Sequence, residues 1–134
     1  MSVEMTESNN PIVTGNAIDH GDENQQRGWF IGHFIDPAQG LRYTEEIEVK
    51  WGIHSTSEEK PFPYASEATT LTLLISGAFV VVFPELNQSA YLKRSGDYVI
   101  FAPGVVHSWK TLEDSVVLTV RWPSVNAKYG HGVK

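Results

Sequence analysis

With 134 residues, the chain is long enough for one hydrophobic core and too short for two ordinary domains. It contains no cysteine, which excludes disulfides, zinc–thiolate sites, iron–sulfur clusters and a cysteine nucleophile. The net charge of −6 belongs mostly to the first 26 residues, which carry five acidic side chains and no Lys or Arg. The rest of the chain is nearly neutral and is not expected to bind nucleic acid, which requires a clustered basic surface.

The N-terminal segment is acidic and poor in apolar residues. Residues 1–27 contain few apolar residues, with PIV and AI as their small apolar groups, and this composition predicts a flexible N-terminal arm. The alternative is an arm that docks these two pieces on the folded body or on a second subunit. The segment has no basic and apolar regions typical of a signal peptide, and no apolar run approaches the roughly 20 residues of a membrane span. We therefore expect a soluble, cytoplasmic protein with no membrane partner.

From Trp29 onward, short segments with a period of two residues alternate with turn residues. The strand-like segments are WFIGHFI, IEVKWGIH, ATTLTLLISG, AFVVVF, AYL, DYVIFA and SVVLTVRW. No window of about eleven residues has a helical period, so no crossover helices are expected. The pattern predicts an all-β protein, an antiparallel sandwich or barrel of about seven or eight strands.

Two of these segments separate into an apolar and a polar face. The polar face of the first carries Glu46, Glu48, Lys50, Gly52 and His54, and that of the second carries Ser115, Val117, Thr119 and Arg121. These faces meet solvent in an ordinary half-buried strand, but they line the interior in a barrel with a ligand cavity, and the pattern allows both. In the second case Glu46 and Glu48 are the nearest acids for Lys50, which leaves Arg121 free to bind a ligand.

The stretch GDYVIFAPGVVHSW, residues 96–109, carries glycines and a histidine at a spacing that resembles the second sequence motif of the cupin superfamily. The matched positions are Gly96, Gly104 and His107; the departures are Ala102 in place of a proline and Thr111 in place of an asparagine. The resemblance implies an antiparallel jelly-roll β-barrel of about eight strands. It covers residues 28–123 and leaves residues 124–134 as a C-terminal tail.

The first cupin motif, which supplies most of the metal ligands in this family, is degenerate here. If Gly77 is its closing glycine, at the hairpin of LLISGAFVVVF, then Thr70 stands at the glutamate position. The two histidine positions are then occupied by Ser66 or Ala65 and by Tyr64 or Pro63. On this alignment three of the four family ligands are missing, and the resemblance implies a barrel without the standard cupin metal site.

A second alignment keeps a metal open. His54 and Glu58 form a His-x3-Glu pair, and with His107 they make two imidazoles and one carboxylate, the ligand set of mononuclear non-haem iron sites. In this alternative the cofactor is a divalent ion such as Fe, Mn, Ni or Zn. In the first interpretation there is no cofactor, or none that the sequence identifies.

The leading interpretation is a barrel that binds a small organic molecule in its cavity, with an anion as one option. Its expected ligand-binding residues are Lys50, His54, His107 and Arg121, with Tyr98 and Trp109 as walls. The alternative is a cupin-type enzyme: a metal-dependent oxygenase using His54, Glu58 and His107, or a metal-free isomerase or lyase in which His107 is the catalytic acid or base. A third interpretation is a barrel that serves only as an interaction module.

A homodimer is also expected. The sequence has more large apolar side chains than the interior of one small barrel accommodates; the examples are Trp29, Phe30, Phe34, Trp51 and Trp122.

Overall fold

The computed structural model describes residues 11–21, 27–60 and 62–124, and within them six β-strands form one antiparallel sheet. The strands are β1 (Trp29–Ile31), β2 (Glu48–His54), β3 (Thr69–Phe83), β4 (Gln88–Leu92), β5 (Tyr98–Phe101) and β6 (Ser108–Trp122). A short helix α1 (Ala17–Gly21) precedes β1, and a 3-10 segment (Pro37–Arg42) follows it. Among the described residues, no helix combines the length and apolar character that crossing a bilayer requires.

The two 15-residue strands, β3 and β6, pair along nearly their whole lengths and form the centre of the barrel. The strand order is β1-β2-β6-β3-β4, and β5 joins the same edge of β3 as β4. The first half of β3 pairs with β5, and its second half pairs with β4. One side of β3 is therefore shared by two short strands, and this arrangement lets the sheet fold over as a jelly roll.

The predicted hairpin at Gly77 is wrong, because β3 continues through this residue. The pairing of β3 with β6 is irregular between Leu74 and Phe79, so the interruption is a bulge and not a turn. Gly77 has φ +98, and a Cβ atom there would collide with the carbonyl oxygen of Asp114 on β6. LTLLISG and AFVVVF thus belong to one strand, and the described residues hold six strands where about eight were expected.

The polar faces of β2 and β6 point into the barrel. Glu48 is 1% exposed and Arg121 is 4% exposed, whereas Ile53 on the opposite face of β2 is 58% exposed. Cross-strand pairing enforces this orientation, because Glu48 lies opposite Arg121 and Lys50 lies opposite Thr119. An apolar core fills the other part of the interior and consists of Leu74, Phe79, Val81, Phe83, Leu92, Phe101 and Val117.

The described part of the N-terminal arm packs on the sheet. Helix α1 contacts β1 and β2, its first turn is capped by Asn16, and the amide of Gly28 donates to the carbonyl of Gly21 (3.0 Å). Residues 17–21 therefore pack on the sheet and depart from the flexible arm predicted for residues 1–27, whereas residues 11–16 are exposed. Residues 1–10 and 22–26 lie outside the described residues.

The C-terminal boundary of the barrel shifts by one residue. Ser124, which we assigned to the tail, is 3% exposed, and its amide donates to the carbonyl of Glu45 (3.0 Å). Residues 125–134 lie outside the described part of the chain.

The outer face of the sheet is apolar across four strands. One row of paired residues is Trp51, Leu118, Leu73 and Tyr98, and the next is Val49, Val120, Leu71 and Ile100. Tyr98 and Ile100 are more than half exposed, whereas Trp29, which we counted among the surplus apolar residues, is buried. Val49 is buried within the chain. The other seven residues of the two rows form an uncharged patch that exceeds the scattered apolar residues of an ordinary monomer surface, and we propose that a second copy of the chain covers it.

We expect a homodimer in light scattering, and Ile100→Glu should weaken it at least about tenfold by placing an uncompensated charge in the interface. Leu86→Glu is the matched control, because Leu86 is 56% exposed in the β3–β4 turn, away from this face. A parent protein that stays monomeric at every concentration contradicts the proposal.

Candidate functional site

The interior of the barrel contains a cavity of about 50 Å3 beside the apolar core. It is lined by Trp29, Lys50, His54, Lys60, Tyr64, Thr70, Thr72, Phe79, Val81, Phe101, His107, Trp109, Val117, Thr119 and Arg121. Most of these residues come from the inward faces of β2, β3 and β6, while Lys60 and Tyr64 come from the loop after β2. Within the described chain, three cations and no acidic residue line this cavity.

The cross-strand register sets the order of the polar groups. Glu48, Arg121 and Thr70 lie in one row across β2, β6 and β3. Lys50 and Thr119 lie in the next row, two residues along their strands. Same-face residues in adjacent rows are close enough for long side chains to reach one another, so Lys50 and Arg121 extend into the same space.

Arg121 forms an ion pair with Glu48, with 3.4 Å between Nη1 and Oε1. Ser124 supports this pair, because its hydroxyl donates to the other carboxylate oxygen of Glu48 (2.9 Å). The expectation that Glu46 and Glu48 neutralise Lys50 and leave Arg121 free is therefore wrong. Glu48 lies directly opposite Arg121 across the strands, whereas Glu46 is exposed outside β2.

Two lysines in the cavity have weakened basicity. Burial, together with the charges of Arg121, Lys60 and Arg27, lowers the pKa of Lys50 to about 8. Burial and the charges of Arg27 and Arg121 lower the pKa of Lys60 to about 8 as well. Both lysines are mostly protonated at neutral pH, and the cavity is strongly electropositive.

Two aromatic rings hold the three cations together. The Nζ atom of Lys50 lies 5.7 Å from the centre of the Trp29 ring, and Cζ of Arg121 lies 4.8 Å from the same centre. Arg121 also lies 5.4 Å from the ring centre of Tyr64, over which Lys60 sits at 4.5 Å. The negative faces of the rings partly offset the repulsion between the cations.

His107 lies between two rings of the cavity wall, with its centroid 4.7 Å from that of Tyr64 and 4.5 Å from that of Phe101. Its Nδ1 atom is 3.1 Å from the carbonyl oxygen of Val105. A carbonyl only accepts, so Nδ1 carries the proton of the neutral ring and Nε2 keeps a lone pair. Burial, with the charge of Lys60, lowers the pKa of His107, and the ring is neutral at neutral pH.

His54 stands at the mouth of the cavity against Trp109, with 4.4 Å between the ring centroids. Its Nδ1 atom lies 3.0 Å from a carboxylate oxygen of Glu58, whose side chain is 44% exposed. Thr111, which replaces the asparagine of the cupin motif, holds this loop, because its hydroxyl donates to the carbonyl of Ser55 (2.7 Å). Burial lowers the pKa of His54, although Glu58 opposes this effect.

The residues present do not fit the metal site of the alternative interpretation. Within the described residues, no three His, Cys, Asp or Glu side chains come close enough to hold an ion, so His54, Glu58 and His107 form no such group. Tyr64 and Thr70, at positions where the family pattern has ligands, do line the cavity with His107. The surrounding lysines and arginine would repel a divalent cation.

The predicted wall residue Tyr98 lies outside the cavity and is 61% exposed. On β5 the side chains alternate, so Phe101 lines the cavity while Tyr98 and Ile100 face outward. The sequence reasoning also missed Trp29, Lys60 and Thr72. Thr72 could have been found from its alternation with Thr70 along β3, whereas Lys60 lies in a loop that has no periodic signal.

An outer cleft of about 370 Å3 adjoins the mouth of the cavity. The two spaces share Lys50, His54 and Trp109 as lining residues. Helix α1 and Arg27 contribute to the opposite wall of the cleft. A ligand entering by this route passes directly beside the amine of Lys50.

No family model and no curated protein matches the sequence. Solved structures do match, among them the DMSP lyase DddQ from Ruegeria pomeroyi, with a TM-score of 0.59 and 14% identity over 70% of this chain and 47% of that one. An RmlC-like cupin from Shewanella frigidimarina matches with a TM-score of 0.53 and 16% identity, over 60% of this chain and 68% of that one. The chain has the cupin fold.

A further cupin-fold match is an uncharacterised protein with a double-stranded β-helix domain from Klebsiella pneumoniae. It has a TM-score of 0.56 and 22% identity, over 68% of this chain and 74% of that one. The chain spans about half the length of the DMSP lyase that it matches. Similarities at these identities extend to the cupin fold and not to an activity, so function has to be argued from the cavity.

Proposed function

We propose that the chain binds a small organic anion, most simply a carboxylate, inside the barrel. The observation that carries the proposal is the convergence of Lys50, Lys60 and Arg121 on one cavity that no acidic residue of the described chain lines. Burying several like charges is costly unless an opposite charge compensates them. Glu48 pairs with Arg121, and a bound anion would compensate Lys50.

Two unpaired polar atoms support a position for the anion between β6 and β3. The Nε atom of Arg121 and the hydroxyl of Thr70 are buried and have no hydrogen-bond partner among the described residues. These residues lie opposite each other on β6 and β3. A carboxylate between them would accept both hydrogen bonds, and hydrogen bonds to an ionised group are the stronger kind.

The volumes restrict the ligand to a small head group with an optional body. The inner cavity of about 50 Å3 holds roughly one or two water molecules. A carboxylate and one or two further atoms fill this space. The outer cleft, reached past Trp109 and His54, accommodates the rest of a larger ligand.

A metal-free isomerase or lyase is the second candidate, and the hydrogen bond of His107 favours it. With Nδ1 bonded to Val105, the Nε2 atom of the neutral ring is available as a general base in the cavity that would hold the anion. Hydrogen–deuterium exchange at the carbon next to the carboxylate would show this activity, and His107→Ala should abolish it. Binding without exchange would leave the chain a binding protein.

A thermal-shift panel tests the proposed function. Acetate, propionate and pyruvate should raise the melting temperature, whereas the uncharged propionamide should not; a ligand at 100 times its dissociation constant adds about 2.7 kcal/mol to the free energy of unfolding. The effect should shrink at pH 9.5, because Lys50 and Lys60 have then lost their protons while Arg121 remains charged. No stabilisation by any carboxylate at pH 7 would refute the proposal.

A further inference from the structure

Lys50 is a cavity cation without an acidic partner. It has no ion pair or hydrogen bond within the described chain, since Glu48 is engaged by Arg121 on the neighbouring strand. Its side chain is nevertheless held in place. The carbon stem lies against the backbone of Gly28, where a Cβ atom would come within 3.2 Å of Cγ of Lys50, and the Nζ atom lies over the ring of Trp29. The amine is therefore positioned without being neutralised.

The amine of Lys50 and the guanidinium of Arg121 line the same cavity. Both side chains contact the ring of Trp29, and both extend from adjacent rows of the same inner face. A ligand whose carboxylate pairs with Arg121 therefore lies in the cavity that Lys50 also lines. That amine also borders the outer cleft, through which a ligand would arrive.

We propose that Lys50 forms a Schiff base with the carbonyl carbon of a small 2-oxo acid whose carboxylate is bound by Arg121; this inference rests on the proposed function. The nitrogen of the neutral amine adds to the carbonyl carbon. The carbonyl oxygen then leaves as water with the two hydrogens of the amine, and a carbon–nitrogen double bond remains. The step needs no oxidant, reductant or metal.

The electrostatics of the cavity support this reaction. A lysine reacts as the neutral amine, and with a pKa of about 8 roughly a tenth of Lys50 is neutral at pH 7. Lys60 has a similarly lowered pKa, but it belongs to a loop and lies over Tyr64. Lys50 lies on a paired strand beside the guanidinium that would bind the carboxylate, so the geometry favours Lys50 over Lys60.

Reductive trapping tests the inference. The protein is incubated with pyruvate and sodium cyanoborohydride, and the reduced adduct is located by peptide mass spectrometry. Lys50 should be labelled at least about tenfold more than Lys110, which is exposed and lies outside the cavity, so that no guanidinium holds pyruvate beside it. Lys50→Arg should remove the adduct, and Lys60→Arg should retain it. Propionate, which has no carbonyl carbon beside its carboxylate, should protect Lys50 by competition.

The outcomes separate this inference from the function on which it rests. If carboxylates stabilise the protein but pyruvate labels Lys50 no more than Lys110, the Schiff base is refuted and anion binding stands. If neither stabilisation nor selective labelling occurs, both are refuted. Selective labelling that persists in Lys50→Arg would show that another lysine is the nucleophile, which also overturns the inference.

Discussion

Replacing Arg121 with glutamine is expected to weaken the binding of a small carboxylate by about 30-fold or more. Arg121 is 4% exposed, and its unpaired Nε atom and the hydroxyl of Thr70 are the donors proposed to hold the anion. Removing one partner of a buried, hydrogen-bonded charge pair costs about 2–5 kcal/mol, and 2 kcal/mol corresponds to about 30-fold in affinity. Titration calorimetry with pyruvate or propionate measures this loss.

The same substitution should lower the free energy of unfolding by about 2–4 kcal/mol, because it leaves the buried carboxylate of Glu48 without its guanidinium partner. The double variant Glu48→Gln/Arg121→Gln is the matched control. It replaces the ion pair by two amides of similar shape and should regain most of the stability without regaining affinity.

Chemical denaturation and calorimetry on the parent, the single variant and the double variant separate the two effects. If the double variant binds carboxylates as tightly as the parent, Arg121 does not anchor the ligand. The proposed orientation of the anion would then be wrong, although the cavity and its lysines would remain.

The fold could be predicted from the sequence because its signals are local. The alternation of the strands and the spacing of Gly96, Gly104 and His107 both depend on neighbouring residues, and together they indicated a cupin-type barrel. The sequence predicted two strands where the structure has the single strand β3, because the local signal at Gly77 is ambiguous. Gly77 is compatible with a turn and with a bulge, and only its long-range pairing with β6 decides between them.

The candidate site could be predicted where it lies on a regular strand and, for His107, where it belongs to the cupin-type motif. Lys50, His54 and Arg121 were found because alternation places them on one face, but their ion-pair partners depend on cross-strand register, which the sequence does not encode locally. Glu48 was therefore assigned to the wrong cation. Tyr98 was placed on the wrong side of β5 because the four residues of that strand are all apolar or aromatic and show no alternation.

The two cavity residues contributed by the loop after β2 could not be predicted from periodicity. Lys60 and Tyr64 lie in the segment after β2, where no period indicates which side chains turn inward. Tyr64 is drawn into the cavity by its backbone pairing with His107, which lies 43 residues later in the chain. The amide of each residue donates to the carbonyl of the other, with 3.0 Å between N and O in both hydrogen bonds. The aromatic surface that brings Lys60 beside Arg121 is a consequence of that long-range pairing.

Replacing Lys50 with methionine should stabilise the ligand-free protein at neutral pH, by up to about 3 kcal/mol. The pKa of Lys50 is about 8 in the folded protein and is expected to be near 10.4 in the unfolded chain. Below pH 8 both states carry the charge, and the folded state bears the full cost of burying it. Methionine has a similar length and no charge, so it keeps the packing against Gly28 and Trp29 and removes this cost.

The stability advantage of Lys50→Met over the parent should depend on pH. Between about pH 8 and pH 10.4 the unfolded chain binds a proton at Lys50 that the folded protein does not, so the stability of the parent rises with pH through this window. Lys50→Met lacks this contribution, and its advantage over the parent should therefore be largest at pH 7 and small at pH 10. Urea denaturation at both pH values measures the difference, with Lys110→Met as a control at an exposed lysine whose substitution should change stability little. An advantage that stays constant with pH would mean that methionine acts through packing alone and that Lys50 is not a buried, uncompensated cation.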